Sequence, residues 1–326
     1  MPPPDQNLIA LYSENARIRL NHLSRKLHKS PQRLQYALKQ LSPLFQLPHC
    51  IFDYSYFGLI LFRVYFKCGY MNQQDKEKIL EQLEHNQYLV AMYEISGEYD
   101  LVLELIAPNP SRVNKELRKL ASIFPTLNHY KLILNIVSHL YPRAYLLLNP
   151  SLTKEWEKQI ILGGDRIPES FTQKELIIIQ HLLNNPQIRL SNLAQASGLH
   201  IKTAAHLLKS LQGRKIIRGC KCMLNNPALH IEKIRLFLKL HNLQQFHEDE
   251  LMEYFLKTPE ITFVNKTVGD WDMEVDLESK DKTRIKFLIS QIREQFKDII
   301  ANFNRAEFEG YYQRAYLPRY VFSEHA

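Results

Sequence analysis

The chain has 326 residues, enough for several domains, and its 45% hydrophobic and 23% charged residues are typical of a globular protein. No apolar run reaches the roughly 18 to 20 residues that a membrane-spanning helix needs, and the N-terminus has no signal-peptide pattern, so we expect a cytoplasmic protein. The net charge of +8 favours an anionic partner.

The positive charge is concentrated in two segments. Residues 5–45 carry seven basic side chains against two acidic ones, and residues 172–222 carry eight against one. Their net charges of +5 and +7 leave −4 for the rest of the chain. Any function must therefore explain two basic segments in an otherwise slightly acidic chain.

Residues 1–55 predict a helix-turn-helix domain. Apolar residues at helical spacing indicate helices at about Gln6–Ser13, Leu20–Leu27 and Pro31–Leu41, and Ser30 is a suitable N-cap for the third. Because the segment Pro43–Phe52 that follows carries no cation, we expect DNA binding here to be weaker than in the second basic segment. The outward side chains expected to contact DNA are Gln32, Arg33, Tyr36 and Lys39.

Residues 56–148 predict an α+β regulatory domain. Strand-like segments at Leu59–Lys67, Tyr88–Ile95, Tyr99–Ile106 and Tyr130–Ser138 alternate with two helices in the order βαββαβ. This order is typical of a ferredoxin-like sandwich. A linker at 149–170 follows, marked by prolines and glycines, in which Trp156–Ile160 predicts a short helix.

Residues 171–225 predict a second, winged helix-turn-helix domain. Thr172 and Glu175 have the spacing of a capping box, Gly198 suits a tight turn, and a third helix is expected at Ile201–Leu211. The basic segment Gly213–Gly219 is interpreted as a hairpin wing. The side chains expected to contact DNA are Lys202, Thr203, His206, Lys209, Arg214, Lys215 and Arg218, although a solvated helix face would show a similar pattern.

Residues 226–326 repeat the βαββαβ pattern, so the chain is interpreted as two copies of one module. Matching segments keep their order along both copies. They include Gly97-Glu98-Tyr99-Asp100 with Gly269-Asp270-Trp271-Asp272, and Arg143-Ala144-Tyr145-Leu146 with Arg314-Ala315-Tyr316-Leu317. We therefore expect the two copies to pair as an intramolecular pseudo-dimer.

These motifs together resemble the Lrp/AsnC (feast/famine) family of transcription regulators. The closest segments are Glu14-Asn15-Ala16-Arg17, Ile95–Asp100 and Val268–Asp272. The resemblance implies a small effector, such as an amino acid, bound near the glycine turns, which makes Gly97, Asp100, Gly269 and Asp272 candidate effector-binding residues. On turn chemistry alone, each glycine only makes a turn and each aspartate caps it.

The hypothesis that follows is a sequence-specific DNA-binding regulator with no catalytic activity. It would bind double-stranded DNA and a small effector, require no cofactor, metal or membrane, and form homo-oligomers through its regulatory domains. The four cysteines are expected to be free thiols, and Cys220-Lys221-Cys222 lacks the second ligand pair of a zinc site.

The alternative is an enzyme that resembles the siroheme decarboxylases of haem biosynthesis, which pair two such modules. That resemblance implies histidine and arginine in the second strand of the regulatory-type domain. The matching segments, Tyr88–Ile95 and Glu260–Val268, contain neither residue type. The sequence therefore favours the regulator.

Overall fold

A computed structural model describes residues 5–68, 73–148, 159–241 and 245–322. The first copy contains helices α1 (Gln6–Glu14), α2 (Leu20–Leu27), α3 (Pro31–Gln40), α4 (Gln73–Glu84) and α5 (Pro110–Ile123), and strands β1 (Phe45–Phe52), β2 (Ile60–Phe66), β3 (Leu89–Ser96), β4 (Leu101–Ala107) and β5 (Tyr130–Leu140). After β6 (Ile160–Gly163), the second copy contains helices α6 (Gln173–Asn184), α7 (Leu190–Ala196), α8 (Ile201–Gly213), α9 (Gln245–Lys257) and α10 (Lys282–Gln295), and strands β7 (Ile217–Leu224), β8 (Glu232–Leu240), β9 (Ile261–Val268), β10 (Met273–Ser279) and β11 (Ile300–Arg314).

The helix starts follow the capping chemistry that the sequence predicts. The Ser30 side chain accepts a hydrogen bond from the Arg33 N–H at the start of α3. At the start of α6, Thr172 and Glu175 form the reciprocal bonds of a capping box. Gly198 has a φ of +62°, which makes the turn between α7 and α8 favourable for glycine.

Each copy contains a four-stranded antiparallel sheet with ferredoxin-like strand order. The order is β5-β2-β4-β3 in the first copy and β11-β8-β10-β9 in the second. Apolar residues on one face of each sheet pack against the two helices that cross it, α4 and α5 or α9 and α10. The predicted fold class, a tandem repeat of a helix-turn-helix and a ferredoxin-like sandwich, is confirmed.

The two sheets join at both edges. Strand β3 pairs with β11, and β5 pairs with β9, so that eight strands form a closed barrel with the four helices on its outside. The inner faces of both sheets, which carry Arg63, Tyr93 and Arg235 among others, are therefore buried inside the barrel. This closure creates the pseudo-dimer within one chain.

The prediction that Gly213–Gly219 forms a hairpin wing in the second copy is wrong. Helix α8 continues through Gly213, and strand β7 begins only at Ile217. Instead of folding back on itself, β7 pairs antiparallel with β1 of the first copy. The wing is thus a two-stranded sheet with one strand from each copy, because an exposed edge strand gains backbone hydrogen bonds from the matching edge of the other copy.

The cysteine prediction also needs correction. Cys50 of β1 and Cys220 of β7 lie opposite each other in this sheet and are joined by a disulfide bond, whereas Cys68 and Cys222 are free and buried. The two cysteines are 170 residues apart, the same offset that relates Ile18-Arg19-Leu20 to Ile188-Arg189-Leu190, so the bond links equivalent positions of the two copies.

Part of the predicted linker is a strand. Residues Ile160–Gly163 form β6, which pairs with the end of β5. The helix predicted at Trp156–Ile160 lies mostly outside the described residues, and its last residue belongs to β6. None of the helices within the described ranges is long and apolar enough to cross a membrane.

Candidate functional site

A small cavity lies between the β1–β7 wing sheet and the barrel. It has a volume of about 50 Å³, and five cationic side chains line it: Arg143, Lys221, Lys233, Arg235 and Arg314. Arg143 and Arg314 are the first residues of the repeated Arg-Ala-Tyr-Leu motif, which begins shortly after β5 in the first copy and at the last residue of β11 in the second. The internal duplication therefore brings equivalent arginines of both copies to one site.

The cations belong to a chain of ion pairs that begins inside the barrel. Arg63 is fully buried, and its guanidinium donates to Glu104 at 3.0 Å and to Glu274 at 2.9 Å. The other carboxylate oxygen of Glu104 accepts from Arg314 at 2.7 Å. Because a buried charge is costly unless it is paired and hydrogen-bonded, each of these groups depends on its neighbours.

The chain of ion pairs continues along β8 and β10. In their antiparallel register, Arg235 lies opposite Asp276 and Lys233 lies opposite Glu278. The two guanidinium bonds of Arg235 to Asp276 measure 2.6 and 3.0 Å, and Lys233 lies 3.1 Å from Glu278. Alternating charges on one face of two paired strands thus satisfy one another across the sheet.

The far end of this chain reaches the first helix-turn-helix domain. Arg143 donates to Glu278 at 3.0 Å and to Glu14, at the end of α1, at 3.1 Å. Lys221 of β7 lies 2.5 Å from the second oxygen of Glu14. We call the complete set the buried ion-pair chain; its members are Glu14, Lys221, Arg143, Glu278, Lys233, Asp276, Arg235, Glu274, Arg63, Glu104 and Arg314.

Two carboxylates of the buried ion-pair chain, Glu104 and Glu278, have lowered pKa values. Burial alone would raise the pKa of Glu104, but the guanidinium groups of Arg314 and Arg63 lower it to about 2. Burial would likewise raise the pKa of Glu278, but Arg143 and Lys233 lower it to about 2. At neutral pH the cavity therefore contains fixed charges of both signs.

His49 faces the same cavity as a neutral side chain. It is 5% exposed, and burial, reinforced by the positive charge of Arg314, lowers its pKa to about 3. Its Nδ1 lies 2.8 Å from the Leu47 carbonyl oxygen, which assigns the ring proton to Nδ1. The imidazole Nε2 then carries a lone pair that can accept a hydrogen bond at neutral pH.

This low pKa predicts a pH dependence of stability. Below the ordinary value of 6.5, the unfolded chain binds a proton at His49 that the folded chain does not, so acid lowers the free energy of unfolding until the pH reaches about 3. At about pH 5 the loss amounts to about 2 kcal/mol. Urea unfolding at about pH 7 and about pH 5 should show a smaller loss for His49→Gln than for the wild type. An equal loss in both proteins would contradict the assignment.

An open cleft adjoins the cavity. Its volume is about 570 Å³, within the range of small-molecule sites. Lys233 and Tyr311 line both spaces, and the cleft continues past His230 and Lys280. A ligand lying in the cleft would therefore place an acidic substituent next to Lys233.

The residues predicted to contact DNA lie mainly on exposed surfaces of the helix-turn-helix domains. Lys202, Thr203, His206 and Lys209 are all exposed on α8, as are Gln32, Arg33, Tyr36 and Lys39 on α3. Lys215 is exposed and Arg218 is partly buried. Arg214 differs, because its guanidinium is held by Glu169 at 3.2 Å and by Glu175 at 2.8 Å.

The candidate effector residues occupy equivalent turns in the two copies. Gly97 and Gly269 have φ values of +137° and +151°, which favour glycine. Asp100 accepts a hydrogen bond from the Cys68 N–H at 2.8 Å, and Asp272 accepts one from the Leu240 N–H at 2.8 Å. Each aspartate thus fixes the end of a neighbouring strand, and its role in effector binding stays a prediction.

No protein-family model matches the sequence, and no curated protein matches it significantly. Among the solved structures that match, two cover almost the whole chain. They are the siroheme decarboxylase NirDL, with a TM-score of 0.60 and 13% identity over 98% of this chain and 97% of that one, and NirDL in complex with an iron-uroporphyrin III analogue, with a TM-score of 0.58 and 12% identity over 98% of both chains.

One module alone is similar to smaller proteins. An AsnC-family transcriptional regulator from Agrobacterium tumefaciens matches 42% of this chain and 89% of its own, with 13% identity and a TM-score of 0.37, which is too low to support an inference. The expectation that the chain is not an enzyme is contradicted, because two solved structures that match almost its whole length are those of an enzyme. The chain therefore shares its complete duplicated fold with the siroheme decarboxylase NirDL.

Proposed function

We propose that the chain is an enzyme of the siroheme-decarboxylase type, acting on a tetrapyrrole that bears carboxylate side chains. The observation that supports this proposal best is the cavity lined by five cations at the junction of the wing sheet and the barrel. Glu104, Asp276 and Glu278 line the same cavity and pair with these cations, but the five cations outnumber the three carboxylates, and a substrate carboxylate would supply further negative charge. The whole-chain likeness to NirDL supports the same reaction class at the level of the fold.

In this proposal the substrate occupies both the open cleft and the adjoining cavity. The open cleft would hold the body of the tetrapyrrole, and the cavity would hold one of its acidic side chains. Lys233 and Tyr311 line both spaces and so would lie beside the bond between the carboxylate and the rest of the substrate. Loss of CO₂ leaves an electron pair on the carbon atom, which must then accept a proton, and Tyr311 is a proton-bearing group at this position.

The cations of this chain differ in origin from those that the resemblance to siroheme decarboxylases implies. Strands β3 and β9 contain no histidine or arginine. The cationic side chains come instead from β7, from β8 and from the repeated Arg-Ala-Tyr-Leu motif. The proposal therefore assigns substrate carboxylate binding to Lys233, Arg143 and Arg314.

Binding of the tetrapyrrole tests this proposal. Titrating the purified chain with iron uroporphyrin should give a saturable change in the absorption spectrum of the pigment. The methyl ester of the same tetrapyrrole, which has no free carboxylate, is the matched control and should bind much more weakly. Equal binding of the acid and the ester, or no binding of the acid, would contradict the proposal.

A second candidate function is DNA binding by α8. Lys202 and Lys209 are exposed on one face of this helix, on either side of Thr203 and His206. A helix in the major groove needs cations of this kind for phosphates and small polar groups for base edges. This function concerns the helix-turn-helix domains and is compatible with an enzyme in the barrel.

Salt dependence distinguishes this second function. Replacing Lys202 and Lys209 with alanine should reduce the slope of log affinity against log salt by about two, if each lysine neutralises one phosphate. Replacing Arg33 and Lys39 should have a smaller effect. Lys257→Ala with Lys297→Ala, on the outside of the barrel, is the control. Gel-shift titrations at several salt concentrations would measure this, and affinity independent of salt would contradict DNA binding.

A further inference from the structure

The cavity between the wing sheet and the barrel contains two hydroxyl groups without a partner. Tyr141 and Thr262 are 4% and 7% exposed, both line the cavity, and neither hydroxyl has a hydrogen-bond partner among the described residues. Their backbones are bonded to each other, with the Tyr141 N–H donating to the Thr262 carbonyl oxygen at 2.9 Å. Two residues that lie side by side in space thus bring unpartnered hydroxyls to the same buried cavity, where an unsatisfied hydrogen-bonding group is costly.

The buried ion-pair chain does not balance its own charge. Among the described residues, its members are six cations and five carboxylates, so the cations exceed the carboxylates by one positive charge. His49 does not change this count, because burial beside Arg314 lowers its pKa to about 3 and keeps it neutral. A water molecule would satisfy the hydroxyls but not the excess charge.

The size of the cavity limits what it can hold. A volume of about 50 Å³ corresponds to about four water molecules when each needs about 10 to 15 Å³ of this space. A carboxylate fits this space, carries one negative charge and accepts hydrogen bonds without donating any. Donor groups, one unmatched positive charge and limited volume therefore all favour the same ligand group.

We propose that this cavity is a binding site for a single carboxylate, which accepts hydrogen bonds from the hydroxyls of Tyr141 and Thr262 and neutralises the excess charge of the buried ion-pair chain. The inference refines the proposed function, on which it rests in one respect only: the carboxylate would belong to the tetrapyrrole. A small carboxylate alone should bind to the same site.

Formate is the probe for this site in the full chain. At about ten times its dissociation constant, sodium formate should raise the thermal midpoint by about 2 to 3 °C above sodium chloride of equal ionic strength. The Tyr141→Phe/Thr262→Val variant should lose this difference. It should also be at least as stable as the wild type without formate, because it no longer buries two unpartnered hydroxyls.

The control variant is Tyr130→Phe/Thr126→Val, which removes the same groups from positions outside the cavity and should respond to formate like the wild type. If the double variant does not fold, Tyr141→Phe alone carries the test. An equal response of wild type and cavity variants overturns the carboxylate site. Formate binding that depends on the two hydroxyls, in a chain that leaves tetrapyrroles unchanged, supports the site and contradicts the proposed enzyme.

Discussion

The free energy of unfolding of the Glu274→Gln variant is expected to be about 3 to 5 kcal/mol lower than that of the wild type. The Glu274 carboxylate accepts from Arg63 at 2.9 Å, from Tyr65 at 2.7 Å and from Trp271 at 3.0 Å. The glutamine amide has the same shape but replaces one acceptor oxygen with an NH2 donor, and this donor then faces one of the three donors around Glu274. It also removes one of the two carboxylates that neutralise the fully buried Arg63 guanidinium.

Glu294→Gln is the matched control for this prediction. Glu294 lies 3.4 Å from Lys297 on the surface of the chain, and its side chain is 81% exposed. Its replacement should change the free energy of unfolding by less than about 0.5 kcal/mol. Urea denaturation of the two variants measures the difference, and equal stabilities would show that the barrel interior does not depend on its ion pairs.

Replacing Lys233 with methionine is expected to weaken tetrapyrrole binding by about two orders of magnitude, equivalent to about 3 kcal/mol. Lys233 is the cation that lines both the cavity and the cleft. Its loss removes the excess positive charge, so the site no longer needs an anion. Asp276 keeps its bonds to Arg235, and Glu278 keeps its bond to Arg143, so the fold should survive.

The control for Lys233→Met is Lys257→Met, which removes a lysine that is 71% exposed on α9. It should bind iron uroporphyrin with wild-type affinity in the same absorption titration. If Lys233→Met bound as tightly as this control while retaining its fold, the cavity would not be the place where the substrate carboxylate binds.

The sequence predicts the fold well because its signals are local. Capping residues such as Thr172, the turn glycine Gly198 and the spacing of apolar residues in α5 each depend on a few neighbouring positions. The wing is different, because β7 finds its partner strand in the other copy. No local pattern near Gly213 distinguishes that pairing from a hairpin.

The candidate site is harder to predict because it depends on the closure of the barrel. Strand β10 alternates apolar residues with Glu274, Asp276 and Glu278, a pattern typical of a strand with one face in water. Pairing of the two sheets at both edges buries that face, so the same pattern becomes a set of buried charges. The repeated arginines Arg143 and Arg314 were the signal available in the sequence.

The prediction of a DNA-binding regulator rested on the most visible charges. The exposed lysines of α8 stand out because few acids surround them, whereas Arg63 is a single cation in the apolar strand β2. An absence of histidine and arginine in β3 and β9 argued against the enzyme only if the cations had to come from those strands. The cations that line the cavity come from β7, from β8, from the end of β11 and from the segment after β5.

Mass spectrometry of a carboxylate-bearing tetrapyrrole after incubation with the purified chain tests the central claim most directly. If the cation-lined cavity holds a substrate carboxylate for removal, siroheme incubated with the wild type should lose the mass of CO₂. Incubation with Lys233→Met should leave most of it unchanged. Siroheme recovered intact from the folded wild-type chain, under conditions in which it binds, would contradict the account.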